Sequence, residues 1–458
     1  MINVTDEIKQ AYDVSTTQID KIMLDGKEYR ITNVEYYDDT YEEGNIFGTA
    51  IARCLKFEIE NIVDLENKEV EYLTGIVVNG QTQWISLGNF IIQDVEPNDT
   101  TNINTVTAMD YMLKSNIEYK TNLAYSNGKI TILQVLQEAC NNSGLTLATT
   151  DFVNKDFIVD SNQFAEGTLN RQVIQAVAQI SGTVAKIKND NKLYLINPNK
   201  ITTVSKKFTL NNYEEAEIKR LTHPINLVSL AMKDVEGENI TLRDEESITK
   251  NGENTLVIND NPFAYTQAKR EQLIAALFNA VKGFEYKAYS FNCQGLPYLE
   301  TIDKVQFNDK EGNIYNSYIF RFNYKSPNGL ESTIEAPSII KATVEYQNIP
   351  SALDIAKKTE IIVDKQNQKI TQLAQEQSQY EDKLTTIEQT VDSINQNVGN
   401  IIDYKRSING ATEIYLTDAG ALDILNLEIS GNKTYENNLF PSEDLFPNDN
   451  LYPNQNIL

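Results

Sequence analysis

A seven-residue apolar repeat between Val363 and Ile401 is the feature that most constrains how this chain can fold. Of the twelve positions that the repeat assigns to one helical seam, ten are apolar, and the exceptions are Gln366 and Gln377. A helix that packs on a globular core shows a wider stripe with a period of 3.6, whereas this stripe keeps a period of 3.5. The repeat therefore predicts a coiled-coil helix that is about 60 Å long.

The seam residues also predict how many chains associate. Isoleucine occupies the second seam position at 387, 394 and 401, where leucine would favour two helices. β-branched residues at both seam positions shift the preference toward three or four helices. The alternative is a helix that packs on its own globular body. The predicted trimerisation seam consists of Val363, Ile370, Leu373, Gln377, Tyr380, Leu384, Ile387, Val391, Ile394, Val398 and Ile401.

The rest of the chain has the composition of an acidic globular protein. It has 40 Lys and Arg against 65 Asp and Glu, a formal net charge of −25, and 41% hydrophobic residues. Because no basic cluster is present, we do not expect it to wrap nucleic acid. No apolar run approaches the roughly 20 residues of a membrane span, and no secretory signal is expected. The three isolated cysteines are expected to be buried and reduced.

Local patterns predict an α+β fold that is mostly β. Asn79-Gly80 between two β-branched runs predicts a tight hairpin turn. Apolar residues spaced by three and four predict helices at 132–141, from Thr168 to Ser181, and between Pro262 and Gly283. We predict five segments: a mostly β domain (1–115), a small α+β domain (116–204), a second β domain with one amphipathic helix (205–350), the coiled coil (351–402) and a tail (403–458).

The tail combines a predicted strand at 412–416 with a short repeat of Leu-Phe-Pro or Leu-Tyr-Pro every six residues. Proline excludes a regular helix and a central strand, so this segment is expected to be extended. It either docks on a partner or serves as a mobile linker. The docking candidates are Leu439, Phe440, Pro441, Leu445, Phe446, Pro447, Leu451, Tyr452 and Pro453.

The side chains that support catalysis are scarce. The chain has one histidine, His223, and no nucleophile, zinc-protease, phosphate-loop or dinucleotide motif surrounds it or any cysteine. We therefore predict a protein without catalytic residues, metal ligands or cofactor. The alternative is a cell-wall hydrolase that works through carboxylates, which are abundant, or through His223.

Several segments resemble the hub proteins of bacteriophage tail tips. Trp84–Phe90, followed by Val106–Asp110, resembles their LG-x-F and V-T-A-x-D pattern, and Leu296–Glu300 with Asp303 resembles the end of their last β domain. The helix that ends at Ser181-Gly182 and the following hairpin are also similar. The resemblance covers about residues 25–345. The family includes tail-associated lysins and prophage tail endopeptidases.

The resemblance implies that the segments 1–115 and 205–350 are β-barrel-like hub domains of a homotrimeric ring. This ring would cap the tail tube at the tip of the virion and be assembled in the host cytoplasm. It implies as partners the tail tube or distal tail ring protein, and tail-tip or receptor-binding proteins at the C-terminus. DNA would pass without specific binding, aided by acidic walls. Many relatives carry a peptidoglycan-cutting domain after the hub region. The residues after the predicted coiled coil are too few for a usual hydrolase domain, so we do not expect one. A tail-associated hydrolase and a host-receptor adhesin remain the alternatives.

The seam generates a test of oligomeric state. We expect the full chain to sediment as a trimer at micromolar concentration, and deletion of residues 355–402 to weaken that trimer, because the apolar seam is removed. Sedimentation velocity on both proteins measures the difference. A monomeric full-length chain would contradict the prediction.

Overall fold

The computed structural model describes residues 1–14, 18–42, 45–60, 65–98, 100–125, 128–232, 239–326, 332–338, 343–345, 402–408 and 411–416. The chain divides into two compact units, Met1–Glu376 and Gln377–Leu458. No helix in these ranges is long and apolar enough to span a bilayer.

The first unit is mostly β with few helices. Its helices are α1 (Asp6–Val14), α2 (Ile132–Asn142), α3 (Asn170–Ser181), α4 (Glu245–Asn251) and α5 (Gln267–Val281). Its strands are β1 (Gln18–Leu24), β2 (Lys27–Arg30), β3 (Thr32–Asp39), β4 (Cys54–Glu60), β5 (Glu69–Val78), β6 (Gln81–Asn98), β7 (Ile103–Asp110), β8 (Ile130–Thr131), β9 (Thr146–Leu147), β10 (Ile158–Val159), β11 (Val184–Ile187), β12 (Lys192–Ile196), β13 (Val204–Phe208), β14 (Tyr213–Leu221), β15 (Leu227–Ala231), β16 (Ile240–Arg243), β17 (Thr255–Asn259), β18 (Lys287–Cys293), β19 (Lys304–Asn308), β20 (Ile314–Tyr318), β21 (Arg321–Ser326), β22 (Ser332–Ala336) and β23 (Thr343–Glu345).

One eleven-stranded sheet dominates this unit, in the order β14-β18-β22-β21-β3-β4-β7-β6-β5-β1-β2. The antiparallel pairing of β21 with β3 joins strands from the two predicted β domains into the same sheet. Smaller sheets flank it: β13-β19-β20, β16-β15-β17-β23, β11-β12-β9 and β10-β8. The boundaries of the five predicted segments stay predictions.

The sheet curls without closing. Tyr324 on β21 donates its hydroxyl to Gln18 on β1 over 2.7 Å, and Ser326 hydrogen-bonds to Asp20, although the two strands share no backbone ladder. Within the described residues the sheet is open, with β2 and β14 at its edges. The prediction of barrel-like domains is corrected in this respect, because β3 pairs with a distant strand instead of closing a local barrel.

The local predictions of helices and turns are confirmed. Asn79 and Gly80 connect β5 to β6 with φ of 52° and 78°, the left-handed pair that such hairpins require. Thr131 and Gln134 form a capping box at the start of α2. Gly182 ends α3 at φ 62°, and a Cβ there would lie 2.7 Å from Cγ1 of Val281 on α5.

The second unit contains one described hairpin, β24 (Ile402–Ile408) and β25 (Ala411–Leu416). Its two strands pair antiparallel, with Arg406 opposite Glu413. The predicted strand at 412–416 is thereby confirmed. All eleven residues of the predicted seam and all nine residues of the predicted docking repeat lie outside the described residues.

Candidate functional site

A buried arginine lies where the predicted hub motifs meet. Arg53, just before β4, is 1% exposed and donates Nε to Oδ2 of Asp110 over 2.8 Å. Its Nη1 donates to the carbonyl of Leu87 over 2.8 Å, and its Nη2 donates to the carbonyl of Lys188 over 3.2 Å. Leu87 belongs to the LG-x-F segment, Asp110 ends the V-T-A-x-D segment, and Lys188 follows β11. One guanidinium therefore connects both motif segments to the small α+β part.

Gly88 allows the β11–β12 hairpin to lie close to the backbone of the LG-x-F segment. Its φ is 103°, and a Cβ at this position would lie 3.0 Å from Oδ1 of Asn191. The next residue, Asn89, donates its backbone N–H to that same oxygen over 2.7 Å. The glycine of the motif is thus explained by contact with the β11–β12 turn.

A buried lysine forms the second connection. Lys186 on β11 is 2% exposed, and its ammonium binds the carboxylate of Asp38 on β3 and the hydroxyl of Thr301. Thr301 in turn donates its backbone N–H and its hydroxyl to Asp38, over 3.1 and 2.8 Å. These bonds satisfy both charges of the pair, which buried ions require. Thr301 directly follows the Leu296–Glu300 motif segment.

The large sheet has one core face and one open polar face. Register places Glu35 on β3 between Lys56 on β4 and Lys325 on β21. The same face continues through the following polar residues: Glu58, Asp94, Thr105, Thr107, Arg321, Asn323, Thr333, Glu335, Ser290 and Asn292. The opposite face carries buried Tyr36, Phe57 and Phe322.

A groove of about 440 Å³ lies on this part of the sheet. Its lining is rich in charge and comprises Asn33, Val34, Glu35, Lys56, Phe57, Glu58, Glu96, Thr105, Lys325 and Ser326. Lys325 lies 3.6 Å from Glu35, and the Asn33 amide donates to Glu58 over 2.6 Å. The carboxylates and ammonium groups are interspersed, an arrangement typical of a solvated wall.

A carboxylate with a shifted pKa lies at the end of β3. Asp39 is 5% exposed, and burial raises the pKa of its carboxyl to about 7. Two contacts oppose this shift: Nε of Arg321 lies 3.2 Å away, and the Tyr41 backbone N–H donates to it over 2.8 Å. Arg321 also lies 3.8 Å from Glu335.

The structure does not bring the catalytic candidates together. His223 lies exposed in a loop, where its carbonyl accepts from the Asn254 amide over 2.6 Å. Cys54, Cys140 and Cys293 are free and buried, and burial raises the pKa of each thiol. Among the described residues, no three His, Cys, Asp or Glu side chains are arranged to hold a metal ion.

The sequence analysis did not predict that Arg53 and Lys186 are buried, although the sequence around each of them indicates it. Lys186 lies within Val184-Ala185-Lys186-Ile187, and Arg53 lies within Ile51-Ala52-Arg53-Cys54-Leu55. A charged residue inside a short apolar run indicates a buried ion pair. Its partner cannot be found in this way, because Asp38 is 148 residues distant from Lys186.

No protein-family model and no curated protein matches the chain. Among solved structures it is similar to the tail protein from Neisseria meningitidis MC58, with TM-score 0.46 and 13% identity over 72% of this chain and 99% of that one. It is also similar to the 43 kDa tail protein of prophage MuSo2 from Shewanella oneidensis, with TM-score 0.46 and 13% identity over 70% of this chain and 98% of that one. A chain of the Francisella PdpA–VgrG complex is similar with TM-score 0.41 and 10% identity, over 72% of this chain and 60% of that one. The structural neighbours thus include tail proteins and a VgrG complex.

Lys186 generates a stability prediction. We expect Lys186→Met to lower the free energy of unfolding by about 3–5 kcal/mol, because Asp38 stays buried without its counter-ion. Adding Asp38→Leu should recover part of the loss. Urea denaturation followed by circular dichroism measures it. Lys192→Met is the control, since the Lys192 side chain is 49% exposed; equal losses from Lys186→Met and Lys192→Met would contradict the assignment.

Asp39 generates a pH prediction. The pKa of Asp39 in the folded protein is about 7, above the ordinary value of about 3.9. Between these two pH values the folded state therefore binds more protons than the unfolded state. The contribution of Asp39 to stability consequently falls as the pH rises. Between pH 5 and pH 8, the free energy of unfolding should fall by roughly 2 kcal/mol more in the wild type than in Asp39→Asn. Denaturation at several pH values tests this. Asp25→Asn, at a side chain that is 72% exposed, should follow the wild type; parallel curves for Asp39→Asn and the wild type would refute it.

Proposed function

We propose that this chain is a structural protein of a bacteriophage tail, a homotrimeric tail-tip hub that caps the tail tube and presents an axial coiled coil. The observation that carries the proposal is the position of the motif residues. The segments that resemble tail-tip hubs hold the Arg53–Asp110 pair and contact the Lys186–Asp38 pair. They therefore have a physical role in building one rigid body, which a ring subunit needs.

The open face of the sheet supports a second part of the proposal, namely that its charged region lines the channel. Carboxylates such as Glu35, Glu58 and Glu96 alternate there with Lys56 and Lys325. Phosphate binding needs clustered cations that release counter-ions, and these cations have carboxylates among their neighbours. DNA would pass such a wall without sticking to it.

The helix predicted at 363–401 supplies the axis in this proposal. It would hold three copies together and position the C-terminal repeat at 439–453 for docking of further tip proteins. Genome delivery would then proceed through or beside this axis, with the tail tube or distal tail ring protein bound to the collar.

Electron microscopy of the purified full chain tests the assembly. We expect particles with a three-fold ring and a thin axial rod, because three rigid bodies surround one coiled coil. Particles of single-subunit size, or rings of another symmetry, would overturn the proposal.

The same preparation tests the hydrolase alternative. We expect no clearing of purified cell-wall material in a zymogram, since His223 is exposed without a catalytic partner among the described residues. Lysozyme serves as the positive control and His223→Ala as the matched variant. Clearing by the wild type would establish the enzyme instead, acting through His223 if His223→Ala abolishes the clearing and through carboxylates if it does not.

A further inference from the structure

A buried carboxyl connects two strands that share no backbone ladder. Asp20 on β1 is 3% exposed, and its two oxygens accept from the hydroxyls of Ser326 on β21 and of Tyr72 on β5, the latter over 2.8 Å. Beside it, the Tyr324 hydroxyl on β21 donates to Oε1 of Gln18 on β1 over 2.7 Å. We call Gln18, Asp20, Tyr324 and Ser326 the Asp20 junction. Within the described residues, side chains alone connect β1 to β21.

The junction lies where each strand has a ladder on one side only. β5 pairs with the whole of β1, whereas β2 pairs with Lys21–Leu24 alone. β3 pairs with the whole of β21, whereas the described pairing with β22 ends at Asn323. Apart from one bond from the Ile31 N–H to the carbonyl of residue 20, over 3.3 Å, the second attachment of Gln18–Asp20 and Tyr324–Ser326 is the junction itself. Segments attached in this way open more readily than strands paired on both sides.

Among the described residues, no cation compensates a negative charge on Asp20. The titratable side chains that interact with it are Tyr12 on α1, Tyr72 on β5 and Tyr324 on β21. Lys27 on β2 pairs with the last residue of β1, at the other end of that strand, and is exposed. Hydroxyl groups therefore surround this carboxyl. A carboxylate that is buried in such a place needs either a cation or water when it ionises.

The protonated form of Asp20 suits the closed junction. Burial raises the pKa of this carboxyl above its ordinary value of about 3.9, although hydrogen bonds from Ser326, Tyr72 and Thr74 lower it. The stability that Asp20 contributes to the closed junction is fully present below the ordinary pKa and is lost as the pH rises through the raised pKa. The closed junction also leaves Nε2 of Gln18 without a partner among the described residues, and water in an open junction would satisfy this donor.

We propose that the Asp20 junction is a proton-controlled contact, which is closed while Asp20 is protonated and opens when Asp20 ionises. The proton leaves to solvent, and water that enters between β1 and β21 hydrates the carboxylate. β1 belongs to the first predicted β segment and β21 to the second, so opening loosens the attachment between these two parts while the β3–β21 ladder keeps them joined. The inference does not rest on the proposed trimer, because all of these groups belong to one chain.

Hydrogen–deuterium exchange of the full chain, read by mass spectrometry, tests the proposal. Exchange is measured from about pH 5 to about pH 9 in peptides that cover β1 and β21, and is corrected for the intrinsic effect of pH on amide exchange. Peptides that cover β7 are the internal reference, since β7 is paired on both sides, with β4 and with β6. The variants are Asp20→Asn and Ser326→Ala. Asp25→Asn is the matched control at a side chain that is 72% exposed, and Asp39→Asn controls for the carboxyl that contacts Arg321 on β21.

We expect protection of the β1 and β21 peptides to fall roughly tenfold for each pH unit above the pKa of Asp20, because ionisation favours the open junction. Asp20→Asn should remove this dependence on pH, since an amide does not ionise. Ser326→Ala should be poorly protected in both peptides already at the lowest pH, because the direct bond across the junction is lost. Asp25→Asn and Asp39→Asn should keep the response of β1 that the wild type shows.

Four results would overturn the inference. Wild-type protection of β1 and β21 that follows β7 at every pH would show that the junction does not open. The same pH dependence in Asp20→Asn, or its loss from β1 in Asp39→Asn, would assign the response to another group. A response of only one of the two strands would show that they do not separate from each other. If Asp20→Asn does not fold, Ser326→Ala decides, since wild-type protection in that variant at the lowest pH would contradict the role of the bond.

Discussion

Two buried ion pairs hold the first unit of this protein together. Arg53 pairs with Asp110, and Lys186 pairs with Asp38. Each cation also bonds to groups from a third part of the chain, so that the β11–β12 hairpin is fixed to the large sheet at two points. An isolated charge could not be buried at these positions without a large desolvation cost, so the pairs must form together with the fold. The rigid relation between hairpin and sheet depends on them.

The attachment of the hairpin to the sheet explains the roles of the motif residues. In a chain with few catalytic side chains, motifs that occur in the same order between Trp84 and Asp303 invite a search for an active site. Here the glycine of the first motif admits a hairpin turn, the aspartate of the second neutralises an arginine, and Thr301 after the third completes the lysine pair. All three roles are architectural. Within the described residues, the charged open face of the sheet remains available for function.

Short-range features were predictable because their causes are local. The Asn79-Gly80 turn, the helix that ends at Gly182 and the helix before Gly283 follow from φ preferences and apolar spacing. Helix α1 was missed, since its nine residues contain one buried apolar side chain, Tyr12, and therefore no periodic stripe. Of the candidate site, the burial of the cysteines followed expectation, whereas the ion pairs were not predicted, because their partners are distant in sequence.

By itself, the sequence determined the local elements, the scarcity of catalytic groups and the seven-residue repeat, because each depends on residues within a few turns of one another. Only the tertiary structure decided that β3 pairs with β21, that one open sheet replaces two barrel-like domains, and which face of that sheet is polar. The physical reason is that strand pairing and ion pairing are long-range choices. Strands such as β3 and β21 carry the same alternating pattern whichever neighbour they take, and the buried charges select the arrangement in which every ion finds a partner.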